Sequence, residues 1–569
     1  MAEAISGTPP PLQHLPSAKE KKYDRQLRLW AASGQAALEE AHILLINNGP
    51  GATGIETLKN LILPGIGQFT IQDSAIVSDA DLSVNFFLED ASLGKSRAEQ
   101  TCKYLLELNP DVHGHFISEP LASWISTDAV LQPYTLIIIA SPVSPEILSR
   151  ITQSAYQSGI ALFYLHSVGF YSHFSIMLPS AFPIVDTHPD PTAMTDLRLL
   201  KPWPALIRFG QQKTYKIEDL AGFELGHIPY VLLLLYFLSK WRLNHNGESP
   251  ISYKDKTAFR DFVRSSGPPE EENFAEAASA VLKTIVPHQV SSSVLAVLDA
   301  PEAQNLNASS SSFWYIASAI RDFYQCHQEV PLPGAVPDMK AQSADYITLQ
   351  NIYKTKARED CSEVSATVRA LEQRHGRSNQ TSSSEIEQFC KLAAHVKLVR
   401  GSPGPLRLAV DHLDWQPESG KAIVNALPNP DFGLESTVLL YIAFVAYDHF
   451  LASHTDDLNT TPRAPGHSDN DVDTDAEKLT GIAFKVLDAA INAAGTQVEN
   501  PQYDNVRQEL TGICGELTRA GGAELHNIAS LTGGMVAQEI IKVITRQYVP
   551  ADNTVVFDGV RSMTGVVKI

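Results

Sequence analysis

The apolar run His42-Ile-Leu-Leu-Ile46 leads directly into Asn47-Asn-Gly-Pro-Gly-Ala-Thr-Gly54, a pattern that limits what this chain can fold into more than any other. A strand followed by Gly-x-Gly-x-x-Gly and then a helical stretch is the opening βα unit of a dinucleotide-type sheet. Its first glycine permits a tight turn, its second a close approach, and its third tight packing of helix on strand. Gly49, Gly51 and Gly54 hold those places. A second strand, Gln68-Phe-Thr-Ile-Gln-Asp73, ends in a carboxylate about 20 residues further on, where such folds meet a ribose hydroxyl. Pro50 has no N–H to offer a phosphate, so the loop predicts the fold more firmly than the ligand.

At 569 residues the chain exceeds one hydrophobic core. Residues 1–18, rich in proline and serine, predict a disordered tail. Residues 19–166 read as the N-terminal part of a Rossmann-like α/β domain. Helical stretches at 55–63, 95–108 and 144–156 alternate with strands, and Leu136-Ile-Ile-Ile-Ala140 suits a central strand buried on both faces. Residues 167–522 predict a large, mainly helical insertion. Within it, 453–475 is polar and acidic and predicts a mobile loop. The spacing Asp469-x-Asp471-x-Asp473 suggests a calcium loop, but Thr474 and Thr480 stand where its glycine and glutamate belong. Residues 523–569 return to α/β character, with a helix over 527–545 and strands at 554–557 and 564–568 that complete the first sheet.

A formal charge of −20 repels phosphate backbones and argues against nucleic acid as a partner. Five scattered cysteines without a Cys-x-x-Cys indicate free thiols, with neither a disulfide framework nor a metal site. The apolar runs 230–238 and 438–447 fall short of a bilayer span and suit buried helices, so no membrane association is expected. The N-terminus has no signal-peptide pattern, which gives a cytoplasmic and nuclear location as the expectation.

Tyr23-Asp-Arg-Gln-Leu-Arg-Leu-Trp30, the glycine loop, Leu63-Pro-Gly-Ile-Gly67, Asn85-Phe-Phe-Leu and Gly94-Lys-Ser-Arg-Ala98 follow one another in order. Together they resemble the adenylation fold of ubiquitin-like-protein activating enzymes. Ala523-Glu-Leu-His and the segment that follows it to Lys542, with Pro337-Asp-Met-Lys and Asp345–Lys354, narrow the resemblance. They resemble the regulatory, non-catalytic subunits of the heterodimeric neddylation activating enzymes.

Adenylating a carboxylate needs an acid to hold Mg²⁺ and cations around the departing pyrophosphate. By the family's landmarks, this chain has Val84 for an arginine, Arg97 for a lysine, Pro142 for the metal-binding aspartate and Ala75 for a second acid. The resemblance therefore implies a degenerate site. Gly49, Gly51, Gly54 and Asp73 would be vestigial, no cofactor or metal would be bound here, and ATP and Mg²⁺ would sit on the catalytic partner. No cysteine is followed by threonine, as the family's thioester cysteine is, so the ubiquitin-like modifier would be carried by the partner. In such heterodimers the arginine of the Tyr-x-Arg-Gln helix reaches the other subunit's ATP site. That implies a contribution in trans from Arg25, with Arg28 as a second candidate, and a partner interface including Tyr23, Trp30, Met339, Tyr346, Leu349 and Tyr353. The alternative is an NAD(P)-dependent oxidoreductase, which accounts for Gly49, Gly51, Gly54 and Asp73 but not for the insertion or the C-terminal return.

Overall fold

The computed structural model describes the chain from Pro16 onward, apart from Pro50 and residues 141–142, 191–194, 288, 429–435, 454–462 and 497–499. It divides into two compact units, residues 1–182 with 399–569 and residues 183–398.

The first unit is built on an eight-stranded sheet. Its strands are β1 (His42–Asn47), β2 (Gln68–Gln72), β3 (His113–Ile117), β4 (Leu136–Ala140), β5 (Ala161–Val168), β6 (Tyr171–Met177), β9 (Thr554–Asp558) and β10 (Met563–Val567), in the order β10-β9-β6-β5-β4-β1-β2-β3. From β5 to β3 neighbouring strands are parallel, with Ile43 opposite both Phe69 and Leu136. β6, β9 and β10 are antiparallel additions. β4 is buried at every position, as a strand covered by helices on both faces must be. The C-terminal strands do rejoin the sheet, through the pairing of β9 with β6.

The helix His526–Thr545 is long and apolar enough to cross a membrane, yet it packs against Ala52–Ile62. A Cβ on Gly533 would lie 2.8 Å from the Thr57 backbone nitrogen, so only glycine allows that approach. The helices Val438–Ser453, Val472–Ala494 and Asn500–Arg519 share a core with Val168, Tyr171, Val556 and Val567 of the sheet.

The insertion is therefore shorter than 167–522. Tyr171–Met177 turns back after Gly169, which has φ +56°, and pairs with β5. Residues 399–522 belong to the first unit, because the helices they form bury their apolar faces on its sheet. The acidic segment is also corrected where it is described. Arg463 pairs with Asp471 at 2.9 Å and with the buried Asp475 at 2.7 Å, and the helix begins at Val472. The residue read as a mobile acid is thus a buried counter-ion. Of the predicted tail, residues 1–15 lie outside the described residues, and Ser17 and Glu20 form a capping box on the helix Ala18–Lys22.

The second unit is mainly helical. Tyr230–Asn244, Glu272–Thr284 and the 32-residue helix Ser343–Arg374 close on one core that contains Leu349 and Tyr353. The chain enters and leaves through β7 (Phe182–Val185) and β8 (Val396–Val399), which form a two-stranded sheet.

Candidate functional site

The glycine loop forms as its residues predict. Gly49 and Gly51 adopt φ +129° and +71°, and a Cβ on Gly54 would lie 2.8 Å from Leu45 and 2.9 Å from Ala140. The close approach at Gly51 is made by the chain itself, since a Cβ there would meet the Asn47 side chain at 2.0 Å. Asn47 Nδ2 in turn donates to Asp73 Oδ2 at 2.9 Å.

Where a nucleotide's ribose would meet Asp73, the Arg97 guanidinium lies instead. Its Nε and Nη2 donate to Asp73 at 2.7 and 3.2 Å, its Nη1 to Asp81 at 2.7 Å and its Nη2 to the Gly49 carbonyl at 2.6 Å. Arg97 is only 7% exposed. Burial works against its charge, but Asp73 and Asp81 outweigh that and hold the guanidinium above its ordinary range. Asp73 also caps the turn after β2, accepting from the Ala75 N–H at 2.9 Å.

The anion cradle at the start of the helix Ala52–Ile62 is filled as well. Backbone N–H groups at a helix N-terminus attract phosphate. Here Ala52 N donates to Glu524 Oε2 at 2.6 Å, and Thr53 donates to Oε1 from its hydroxyl at 2.6 Å and from its backbone at 3.3 Å. The Glu524 carboxylate thus stands in for a phosphate. Burial raises its pKa, and the hydrogen bonds from Thr53 and Ala52 pull it back only in part.

Arg97 is therefore engaged within the chain, by Asp73, Asp81 and the Gly49 carbonyl. Val84 and Ala75 are half-buried and apolar, and Pro142 lies outside the described residues. Arg25 is exposed on the helix Asp24–Glu40 and, among the described residues, makes no ion pair or hydrogen bond. Arg28 is exposed but paired with Asp24 at 3.0 Å.

Four of the residues assigned to a partner interface are corrected. Tyr23 is buried, and its hydroxyl accepts from Asn109 at 3.0 Å. Trp30 is buried, with Nε1 donating to Gln35 at 3.1 Å. Leu349 and Tyr353 are fully buried, and the Tyr353 hydroxyl donates to the Leu197 carbonyl at 2.7 Å. Their helical spacing reports core packing, and only Met339 and Tyr346 are half-buried. Among the cysteines, 102, 390 and 514 are buried. Cys361 is half-buried beside Cys390, whose hydrogen bond brings its thiol down to about 6.

Glu524, Asp81 and Asn47 were not identified from sequence. Asp81 lies in a legible capping box, Ser78-x-x-Asp81, but nothing local shows that it also pairs with Arg97.

A Rossmann-like sheet whose glycine loop, helix start and C-terminal return converge on one place is the adenylation-type architecture. The chain matches the ThiF family model over residues 23–569, and it belongs to that family. It is 36% identical over 551 residues to the NEDD8-activating enzyme E1 regulatory subunit of Xenopus laevis, covering 95% of this chain and 97% of that protein. It is 32% identical over 552 residues to the NEDD8-activating enzyme E1 regulatory subunit AXR1 of Arabidopsis thaliana, covering 96% of each. Within the ThiF family the chain groups with these NEDD8-activating enzyme E1 regulatory subunits. Among solved structures, E. coli MccB with ATP aligns at a TM-score of 0.24 and 15% identity, over 28% of this chain and 49% of that one. The oxidoreductase alternative fails, because both Asp73 oxygens are already engaged and the family match spans the insertion and the return.

Proposed function

We propose that this chain is the regulatory subunit of a heterodimer that activates the ubiquitin-like modifier of neddylation, and that it completes the ATP site of its catalytic partner in trans. It binds no nucleotide itself. ATP and Mg²⁺ belong to the partner's site, and the partner's cysteine takes the modifier as a thioester. One observation carries the reading: Glu524 and Arg97 already fill the places of phosphate and ribose, while Arg25, exposed on its helix, has no partner among the described residues. A guanidinium delivered into a dehydrated site stabilises charge developing on the leaving pyrophosphate, as arginine fingers do. Arg28 is the weaker candidate because Asp24 holds it.

ATP–pyrophosphate exchange with the modifier tests this, comparing the chain alone, the partner alone and the mixture. Exchange only in the mixture is expected, and Arg25→Ala should lower its rate at least tenfold while the heterodimer still forms. Exchange by this chain alone would refute the reading, and an unchanged rate with Arg25→Ala would leave it a scaffold.

A further inference from the structure

On the antiparallel side of the sheet, away from the glycine loop, His166 of β5 and His173 of β6 are direct cross-strand partners. Neighbours across a pair of strands present their side chains on the same face. Asp448, from the helix Val438–Ser453, lies over that face. His166 Nδ1 lies 2.8 Å from Asp448 Oδ1, and the Tyr164 hydroxyl donates to Oδ2 at 2.8 Å. His166, His173 and Asp448 are 5, 3 and 8% exposed.

His173 is the anomaly. Among the described residues neither of its ring nitrogens has a hydrogen-bond partner, although both are buried. A neutral imidazole carries one donor and one acceptor, and burying either of them unmet is unfavourable. Phe444, Tyr441 and Tyr447 surround the rings and offer His173 no hydrogen bond. One ligand atom from each of His166, His173 and Asp448 can be chosen so that all lie within 4.8 Å of one another.

We propose that His166, His173 and Asp448 bind a divalent transition metal ion, with zinc the best match and a water as its fourth ligand. Two imidazoles and one carboxylate are a donor set that suits zinc. Tyr164, bonded to the far carboxylate oxygen, is the outer partner that such a ligand needs to keep its orientation. Ligands about 2.1 Å from a tetrahedral ion stand roughly 3.4 Å apart. Binding therefore spreads the 2.8 Å pair slightly and draws His173 inward, giving its free nitrogen a partner. Shut off by aromatic side chains, the ion would fasten the helix Val438–Ser453 to the β5–β6 hairpin. The sequence hides the set because Asp448 is 282 residues from His166.

The test uses the full chain, expressed in zinc-supplemented medium and freed of any affinity tag. Elemental mass spectrometry should find about one zinc per chain, and His173→Phe and Asp448→Asn should each reduce it at least fivefold. Zinc-edge X-ray absorption on the wild type reads the shell without any variant, so the test survives a variant that fails to fold. Two imidazoles with one carboxylate are expected. Less than a tenth of an equivalent of any transition metal in the wild type would overturn the proposal. So would a shell without two imidazoles, or full metal content in folded His173→Phe.

Discussion

Glu524→Ala tests whether the glycine loop is held by the chain's own carboxylate. The substitution removes three hydrogen bonds, from Ala52 N, Thr53 N and the Thr53 hydroxyl, and leaves two backbone donors buried at a helix start. A hydrogen bond contributes about 0.5–1.5 kcal/mol, and an unmet buried donor costs about 1–3 kcal/mol. Against these stands the burial that raises the Glu524 pKa, which is the cost of placing the charge there. Setting the two against each other gives a net loss of about 2–4 kcal/mol for Glu524→Ala. Glu524→Gln, which keeps the shape and one acceptor, should lose about 1–2 kcal/mol. The sign with pH follows from the raised pKa. The advantage of Glu over Gln is full below the unfolded carboxyl pKa and falls as pH rises through the folded one, so the gap between them narrows with rising pH. Urea unfolding, with hydrogen exchange read over residues 47–62, measures both effects. The emptied cradle should also accept inorganic phosphate. A hundredfold excess over Kd would restore about 2.7 kcal/mol in Glu524→Ala and nothing in the wild type. A loss below about 0.5 kcal/mol, within the range of an ordinary surface change, together with no phosphate response, would refute the reasoning.

Arg97→Leu should destabilise the first unit by about 3–5 kcal/mol, because Asp73 and Asp81 stay buried without their counter-charge. Adding Asp73→Asn and Asp81→Asn should recover most of that loss in the same urea titration. Tyr353→Phe should cost about 1 kcal/mol for the hydrogen bond to Leu197, whereas Tyr353→Glu should unfold residues 183–398 and open them to limited proteolysis. His412 stacks on His449 with ring centroids 3.5 Å apart, and burial, with His449 second, brings its pKa down from 6.5 to about 4. Its folded pKa lies below the unfolded one, so its contribution to stability is present above pH 6.5 and lost as pH falls towards 4. His412→Phe should accordingly flatten the fall in Tm between pH 7 and pH 5.

Local pattern carried far where the physics is local. The run His42–Ile46, the glycines and the residues from Gln68 to Asp73 all follow from backbone sterics and strand period, and the structure places strands and turn there. The helical period of Leu349 and Tyr353 was legible too, but a period names a buried face without naming what buries it. Leu349 and Tyr353 are buried by the chain's own core. β6 was missed because all seven of its residues are buried, which removes the alternation that marks a strand with one solvent face.

What the sequence determined by itself is the βα opening, the helical character of the insertion and the C-terminal return, because each rests on interactions within a few residues along the chain. The tertiary structure alone decided the state of the site. Glu524 comes from 472 residues away to meet Ala52, and Arg97 bridges acids from two other segments. A buried charge must find its counter-charge or its hydrogen bonds wherever the fold supplies them, and no spacing along the chain encodes that choice.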